Sequence, residues 1–581
     1  MRRIAIVHKE KCNPIACGGY LCMRVNPENK MGKECIVIDP IDKKVKINED
    51  QCGLGVQISV NACPFRALDM VKLPEALDKE PIHSYGENSF RLFNLPIPKE
   101  KEVVGIIGRN GIGKSTAVKI LSGLIKPNLG KEQEATIDEI INFYKGKEAQ
   151  GYFEKTKQAF IKTAYKPQQV DSIPKIAKGT VRELLKKSDE KNQMDKIVKE
   201  LALEKILDTD ITKISGGELQ RTAIAATAMK KANVYIFDEP TSYLDIKQRL
   251  RTVQFIKNLA QEGNAVIVIE HDLIILDAVS DSIHIMFGQE ACYGVVSLPK
   301  ATKTGINTFL EGYIKEENMR FRDYPIRFLP KAAQKKTIRA TCTSWEGITK
   351  KLGRFNLNAP QGTIYKGEII GILGENGIGK TTFVKLIAGI EKPDKGTIQK
   401  TTLSYKPQFL ETNEEKTVAE IIQLSTHGTK FRRLKLNEIA WKKLKNLSGG
   451  ELQRVAIAQC LSQEVELYVL DEPSAYLDVE QRMEVAKMIK EITETKNCAV
   501  IVVDHDLLFL DYLSDKLCVF IGEPAIHGDC TGPYPMEEGM NHFLTELNIT
   551  FRRDPLNNRP RINKPGSVID REQKEERRMY Y

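Results

Sequence analysis

GRNGIGKS at Gly108–Ser115 with SGGELQR at Ser215–Arg221, then GENGIGKT at Gly374–Thr381 with SGGELQR at Ser448–Arg454, decide the fold of this 581-residue chain. The two series keep one order and nearly one spacing. Ser215 to Asp238 and Ser448 to Asp471 both span 23 positions, while Asp238 to His271 spans 33 and Asp471 to His505 spans 34. A single G-x-x-x-x-G-K-[ST] run arises by chance in long chains, but an ordered series occurring twice implies a duplicated fold.

The flanking residues turn each motif into a phosphate site. Glu102–Ile107 reads as a short apolar strand and Ser115–Leu121 as a helix. The loop between them aims backbone N–H groups and a helix N-terminus at phosphate oxygens, and Gly108, Gly111 and Gly113 let the backbone come close. Lys114 is expected to bridge the β and γ phosphates and Ser115 to ligate magnesium. Gly374, Gly377, Gly379, Lys380 and Thr381 repeat these roles, and Asn110, Thr116, Asn376 and Thr382 complete the two loops.

VYIFDE at 234–239 and LYVLDE at 467–472 read as apolar strands delivering acidic pairs at their carboxyl ends, where α/β sheets place ligands. Asp238 and Asp471 are assigned to the metal. Glu239 and Glu472 are assigned to polarising the attacking water. His271 and His505 follow the next buried strands and are placed against the γ phosphate.

Composition bounds the rest. The length exceeds one hydrophobic core, and 41% hydrophobic with 28% charged residues reads as globular. The longest apolar runs, 265–269 and 499–503, suit buried parallel strands and are far too short for a bilayer. The N-terminus lacks a signal-peptide core, so a cytoplasmic protein is expected, with its twelve cysteines as thiols or metal ligands rather than disulfides. A net charge of +10 permits a polyanionic partner without requiring one.

With the P-loops, SGGELQR, DEPTSYLD or DEPSAYLD and the HD pairs in place, residues 80–530 resemble ATP-binding-cassette ATPases. The resemblance implies an α/β fold with two P-loop nucleotide-binding domains head to tail. Each ATP then sits between one domain's P-loop and the other's signature: Lys114 with Ser448, Gly449, Gly450 and Glu451, and Lys380 with Ser215, Gly216, Gly217 and Glu218. Gln168 and Gln408, each in YKPQ, match the residue that touches magnesium and transmits closure. Tyr85 or Phe90, and Trp345, are candidates to stack on adenine. The interval from Lys114 to Gln168 is 54 positions against 28 from Lys380 to Gln408, so the first domain carries an insert near 130–160 that reads as helix-loop-helix or as a tolerated surface insertion.

Three features narrow the family. Cys12, Cys17, Cys22, Cys35, Cys52 and Cys63 crowd the N-terminus. RFRD at 320–323 and FRRD at 551–554, the latter followed by RPRINK at 559–564, trail the two cassettes, and the cassettes are fused. Together these resemble subfamily E of the ABC ATPases, the ribosome-recycling or RNase L inhibitor family. The resemblance implies a small α+β ferredoxin-like domain at 1–75, nucleotide domains at 76–315 and 336–545, a hinge at 316–335, and a second hinge with tail at 546–581. It further implies ribosome splitting after termination or rescue, with the small ribosomal subunit, ribosomal RNA, a release or rescue factor and initiation factors as partners, no membrane, and a monomer off the ribosome. The rival is a twin-cassette RNA-binding regulatory ATPase without splitting activity.

The cysteine pattern departs from a two-cluster ferredoxin, in which C-x2-C-x2-C-x3-C-P occurs twice and each fourth cysteine serves the other cluster. Asn26 stands at the first crossing position, and the second run keeps only Cys52 and the crossing Cys63. Cys12, Cys17, Cys22 and Cys63 form one complete ligand set, which predicts one [4Fe-4S] cluster beside ATP and Mg2+. Zinc on the same four, or a fold kept without metal, are the alternatives, with Cys35 and Cys52 as ordinary buried thiols.

Overall fold

The computed structural model describes residues 3–73, 80–328, 339–408, 415–422 and 431–581. Positions 329–335 of the expected first hinge lie outside the described residues. The apolar runs of the sequence become the centres of two matching sheets. In the first, parallel strands stand in the order Ser282–Gln289, Val103–Gly108, Ala265–Ile269, Val234–Asp238, Thr163–Lys166. In the second the order is Lys516–Glu523, Ile369–Leu373, Ala499–Val503, Leu467–Asp471, Leu403–Lys406. AVIVI at 265–269 and AVIVV at 499–503 are buried on both faces, which is why these strands carry no polar alternation. Each lies between the P-loop strand and the acidic strand, so three carboxyl ends converge on one site.

Margins of mixed pairing, with antiparallel hairpins, extend both sheets, and they differ. The first ends in the short strands Arg91–Phe93 and His83–Ser84, whereas the second carries the long hairpin Thr341–Leu352 with Phe355–Tyr365. The residues between Lys114 and Gln168 contain two helices, Ile137–Phe143 and Ala149–Lys157. Thr136 and Glu139 close a capping box at the first of them. Ile140, Tyr144, Ala149 and Phe153 are buried in the same cluster as the P-loop helix residues Val118 and Leu121, with Tyr144 stacked on Phe153 at 5.6 Å. Tyr152 also donates from its hydroxyl to the Leu121 carbonyl at 2.8 Å. This insertion is therefore part of the first cassette's core.

At the N-terminus, Arg3–Val7 pairs antiparallel with Leu68–Lys72, and Ile36–Ile38 with Val45–Ile47, around the helices Leu21–Val25 and Val56–Ala62. The core is small, built on Ala5, Ile36, Val45, Ile47, Val56 and Leu68. Asn88 docks it on the first cassette: its amide carbonyl accepts from Ile47 N–H at 2.8 Å, its amide N–H donates to the Ile47 carbonyl at 2.9 Å, and its backbone carbonyl accepts from Val7.

The basic segments after the cassettes are structural and reciprocal. Arg322, leaving the first cassette, is buried and reaches Glu480 of the second at 2.7 Å. Arg559 and Arg561, beyond the second cassette, both reach Asp277 of the first, Arg561 through two contacts of 2.6 and 2.9 Å. Arg559 is completely buried. Guanidinium forks suit this work because one planar group satisfies a carboxylate and a carbonyl together.

Candidate functional site

In each cassette the glycine before the P-loop lysine takes a left-handed backbone, Gly113 at φ 88° and Gly379 at φ 94°, starting the helices Lys114–Leu121 and Lys380–Ile387. A side chain at either position would strike a phenylalanine, Phe90 or Phe355. Lys114 donates to the carbonyls of Gly108 and Arg109 at 3.0 and 2.6 Å, and Lys380 to those of Gly374 and Glu375 at 2.9 and 2.6 Å. Burial pushes Lys380 down to about 8 and lowers Lys114 as well. Phosphate oxygens would reverse both shifts by favouring the ammonium.

Around Lys114 the acidic pair is sharply turned. Glu239 sits at φ 47° and Glu472 at φ 49°, a strained backbone for a non-glycine residue, and its occurrence in both cassettes marks a functional turn. Gln168 donates to Glu239 at 2.7 Å and Gln408 to Glu472 at 2.8 Å. His271 stands 3.4 Å from Glu239, and His505 3.6 Å from Glu472. The two carboxylates differ electrostatically. Burial raises Glu239, but the contact and charge of His271, with Lys114 and Gln168, outweigh it and hold the group at about 2. Glu472 is raised, by burial and the charge of Asp471.

Ser115 donates to Asp238 at 3.1 Å, and burial together with the Glu239 charge lifts Asp238 to about 6. Asp471 is likewise raised by burial. A dication there would favour both ionised forms, so hydroxyl, amide and carboxylate oxygens of this kind fit Mg2+. Ser215 and Ser448 cap the helices Gly216–Ala228 and Gly449–Ser462, each in a box with Glu218 or Glu451.

The lobes meet head to tail. The N–H of Asn376 donates to Asp245 at 3.0 Å, and its side chain donates to the Tyr243 carbonyl at 3.2 Å. The reverse pairing joins Asn110 to Asp478 and Tyr476. Tyr243 and Tyr476 touch through their hydroxyls at 3.2 Å. The sequence reading did not assign Asp245, Asp478 or these tyrosines, although all four stand at matching positions in DEPTSYLD and DEPSAYLD.

One expectation fails on geometry. Trp345 is 3% exposed, packed on Phe383 at 5.2 Å and over Gly362, inside the second sheet's core, and it cannot stack on a base. Phe355 occupies the position matching Phe90, against the P-loop glycine. Its signal was the F-x-L run 18 or 19 residues ahead of each P-loop, FRL at 90–92 and FNL at 355–357. Tyr85 is half exposed and its hydroxyl lies 3.0 Å from that of Thr116.

Comparison with known proteins agrees with this geometry. The chain matches the ABC transporter family over residues 94–242 and 357–475, and a possible Fer4-like domain in RNase L inhibitor over 2–34. It is 41% identical to ABC transporter E family member 1 of Arabidopsis thaliana, covering 100% of this chain and 99% of that one. The chain belongs to the ABC transporter E family. It is 43% identical to translation initiation factor RLI1 of Saccharomyces cerevisiae over 98% of this chain and 97% of that protein. The structure titled as the model of ribosome-bound archaeal Pelota and ABCE1 superimposes with a TM-score of 0.95 at 49% identity, covering 100% of this chain and 99% of that one. The E-family chain is an ATPase of ABC type, and among its described residues no helix is long and apolar enough to cross a membrane.

In the N-terminal domain of this E-family ATPase, Cys12, Cys17, Cys22 and Cys63 line one cavity walled by Tyr20, Val45 and Phe65. Burial pushes the Cys22 thiol up to about 11 and raises Cys12, with the neighbouring thiols adding to both. Four sulfurs gathered at one cavity, two of them raised by burial, fit an iron-sulfur cluster, which would supply the compensating charge. The second cluster position is filled differently. Cys35 and Cys52 are joined in a disulfide, with Cα atoms 4.9 Å apart, correcting the expectation of two free thiols and of no disulfide in the chain. Beside them the wholly buried Asn26 donates to Ser59 at 3.1 Å, and Ser59 to the Cys22 carbonyl at 2.9 Å.

Proposed function

We propose that the chain is an ATP-driven ribosome-recycling factor of the cytoplasm, monomeric in isolation, which separates ribosomal subunits after termination or rescue and stays with the small subunit toward initiation. The full-length likeness to a ribosome-bound relative carries this reading, because it extends through the N-terminal domain and both cassettes rather than the cassettes alone. Its partners are the small subunit with its RNA, a release or rescue factor, and initiation factors.

The residues of the two sites divide into parallel roles. Lys114 and Lys380 leave their loop carbonyls for the β and γ phosphates. The amides of Gly111, Gly113, Gly377 and Gly379 receive phosphate oxygens, and Phe90 and Phe355 cover the base. Ser448 with Gly449 and Gly450, and Ser215 with Gly216 and Gly217, close the opposite faces. Ser115, Gln168 and Asp238, and Thr381, Gln408 and Asp471, hold magnesium, which neutralises phosphate charge when bound. Glu239 and Glu472 orient the attacking water and accept its proton. His271 and His505 contact the γ phosphate, so its departure loosens the seam. ATP binds the closed arrangement more tightly than the open one, and that difference is the work available at the ribosome.

One [4Fe-4S] cluster sits on Cys12, Cys17, Cys22 and Cys63. Iron and sulfide analysis of anaerobically purified protein gives about four of each per chain on this reading, and about eight or none against it. For the function, purified ribosomes, the chain and ATP are resolved on a sucrose gradient with a rescue factor present. Accumulation of free subunits supports recycling; binding without subunit release assigns a regulatory ATPase instead.

A further inference from the structure

His8, Asp69 and Cys292 converge where the N-terminal domain meets the first cassette. The carboxylate Oδ2 of Asp69 is the focus: His8 Nε2 lies 2.8 Å from it and the Cys292 thiol donates to it from 3.8 Å. The three donor atoms lie within 4.8 Å of one another. Cys292 is fully buried and His8 nearly so, while the Asp69 side chain is 37% exposed. On the far side of the imidazole, Glu10 stands 3.7 Å from Nδ1.

We propose that these three side chains form a divalent-cation site of zinc type, completed by water, which clips the N-terminal domain to the first nucleotide domain. Mixed nitrogen, oxygen and sulfur donors select zinc-type ions over magnesium or calcium, which take oxygen alone. A tetrahedral ion needs donors separated by a few ångströms, and these three lie within 4.8 Å of one another. The exposed edge of Asp69 supplies an entry path and room for the water. The proton balance is simple. With the ion on Nε2 the imidazole keeps its one proton on Nδ1, facing Glu10, and the Cys292 thiol gives up its proton to solvent. Glu10 then orients the ligand ring, as carboxylates behind zinc histidines do.

The placement carries the consequence. His8 immediately follows the strand Arg3–Val7 and Asp69 lies on its partner Leu68–Lys72, whereas Cys292 immediately precedes the cassette strand Tyr293–Val296. An ion held by all three therefore exists only while the domains are docked, adding to the Asn88 contacts and to the Arg91–Glu49 ion pair of 2.6 Å. Docking and metal affinity are linked by mass action.

The test uses the full chain with its cluster loaded, given one equivalent of zinc and dialysed, then measured for zinc and iron and by zinc-edge X-ray absorption. The expected result is about one zinc per chain with a single sulfur at about 2.3 Å and nitrogen or oxygen in the remaining positions. Cys292→Ser, and independently His8→Gln in case the buried substitution fails to fold, are expected to lower retained zinc at least about tenfold with iron unchanged. A four-sulfur shell, which places zinc in the Cys12 cavity, overturns the proposal, as does zinc that is not retained or is retained equally by both variants. No ribosome enters this test, so its failure leaves the recycling reading untouched.

Discussion

The backbone N–H of Asn110 donates to the Asp478 carboxylate at 3.0 Å, across 368 positions of chain and from one nucleotide domain to the other. Asp478 also caps the helix Val479–Lys496 by accepting from Gln481; burial raises its carboxyl, but these two N–H groups and the nearby His271 and Lys114 outweigh it and hold the group below its ordinary value. Asp245 accepts from the Asn376 N–H across the other seam and caps the helix Ile246–Gln261. Asparagine caps helices about as well as aspartate, but it has one oxygen in place of two. Asp478→Asn is therefore expected to keep melting behaviour close to the parent and to lower ATP turnover about 10- to 100-fold, the worth of a hydrogen bond to a charged group. Parallel melting and steady-state ATPase assays check it; unchanged turnover removes the seam from the mechanism.

Glu239→Gln and Glu472→Gln each remove the proton acceptor while preserving shape. Turnover at the altered site is expected to fall by at least about 100-fold, and the double variant to retain ATP through gel filtration. Rapid turnover in the double variant contradicts the assignment of both glutamates.

Buried carboxyls outside the metal set make stability depend on pH. Burial lifts Glu270 to about 7 and Asp504 to about 6, above ordinary values near 4. The folded state thus binds more protons than the unfolded state between about pH 4 and 7, so the contribution is present at low pH and lost as pH rises through the folded values. Urea midpoints of nucleotide-free protein are expected to carry a falling term from about pH 5 to 7, worth about 2 kcal/mol for Glu270. Glu270→Gln is expected to flatten the slope; an identical slope in the variant contradicts the origin.

Removing Asp277 takes the carboxylate partner from Arg559, which is wholly buried, and leaves Arg561 only Asp554, at 3.3 Å. Asp277→Ala is expected to destabilise the chain by about 3–5 kcal/mol, as loss of one member of a buried ion pair does. Thermal denaturation measures this, and a shift of less than about a degree would assign the contact no structural weight.

Much of this architecture was legible because it depends on local pattern. The uninterrupted runs at 265–269 and 499–503 identify strands buried on both faces, and glycines at fixed offsets before Lys114 and Lys380 identify phosphate loops. The duplicated spacing then supplies the second site without further evidence. What stayed hidden depends on long-range packing. Trp345 has the composition of a base-stacking residue, and only the close approach of Gly362 and Phe383 shows it turned inward. Phe355 went unassigned, because only the fold of its strand sets it against the P-loop glycine Gly379. Asp245 and Asp478 were not assigned from sequence, because their contacts run to the partner lobe. The Cys35–Cys52 bond joins residues 17 positions apart whose approach depends on how the small domain closes.

The account turns on two ATP molecules held between opposite lobes, and a nucleotide-loaded crystal structure of the Glu239→Gln, Glu472→Gln variant tests it directly. The expected result places one γ phosphate between Lys114 and Ser448 and the other between Lys380 and Ser215. Nucleotides held by one lobe each, with both signature serines turned to solvent, would contradict it.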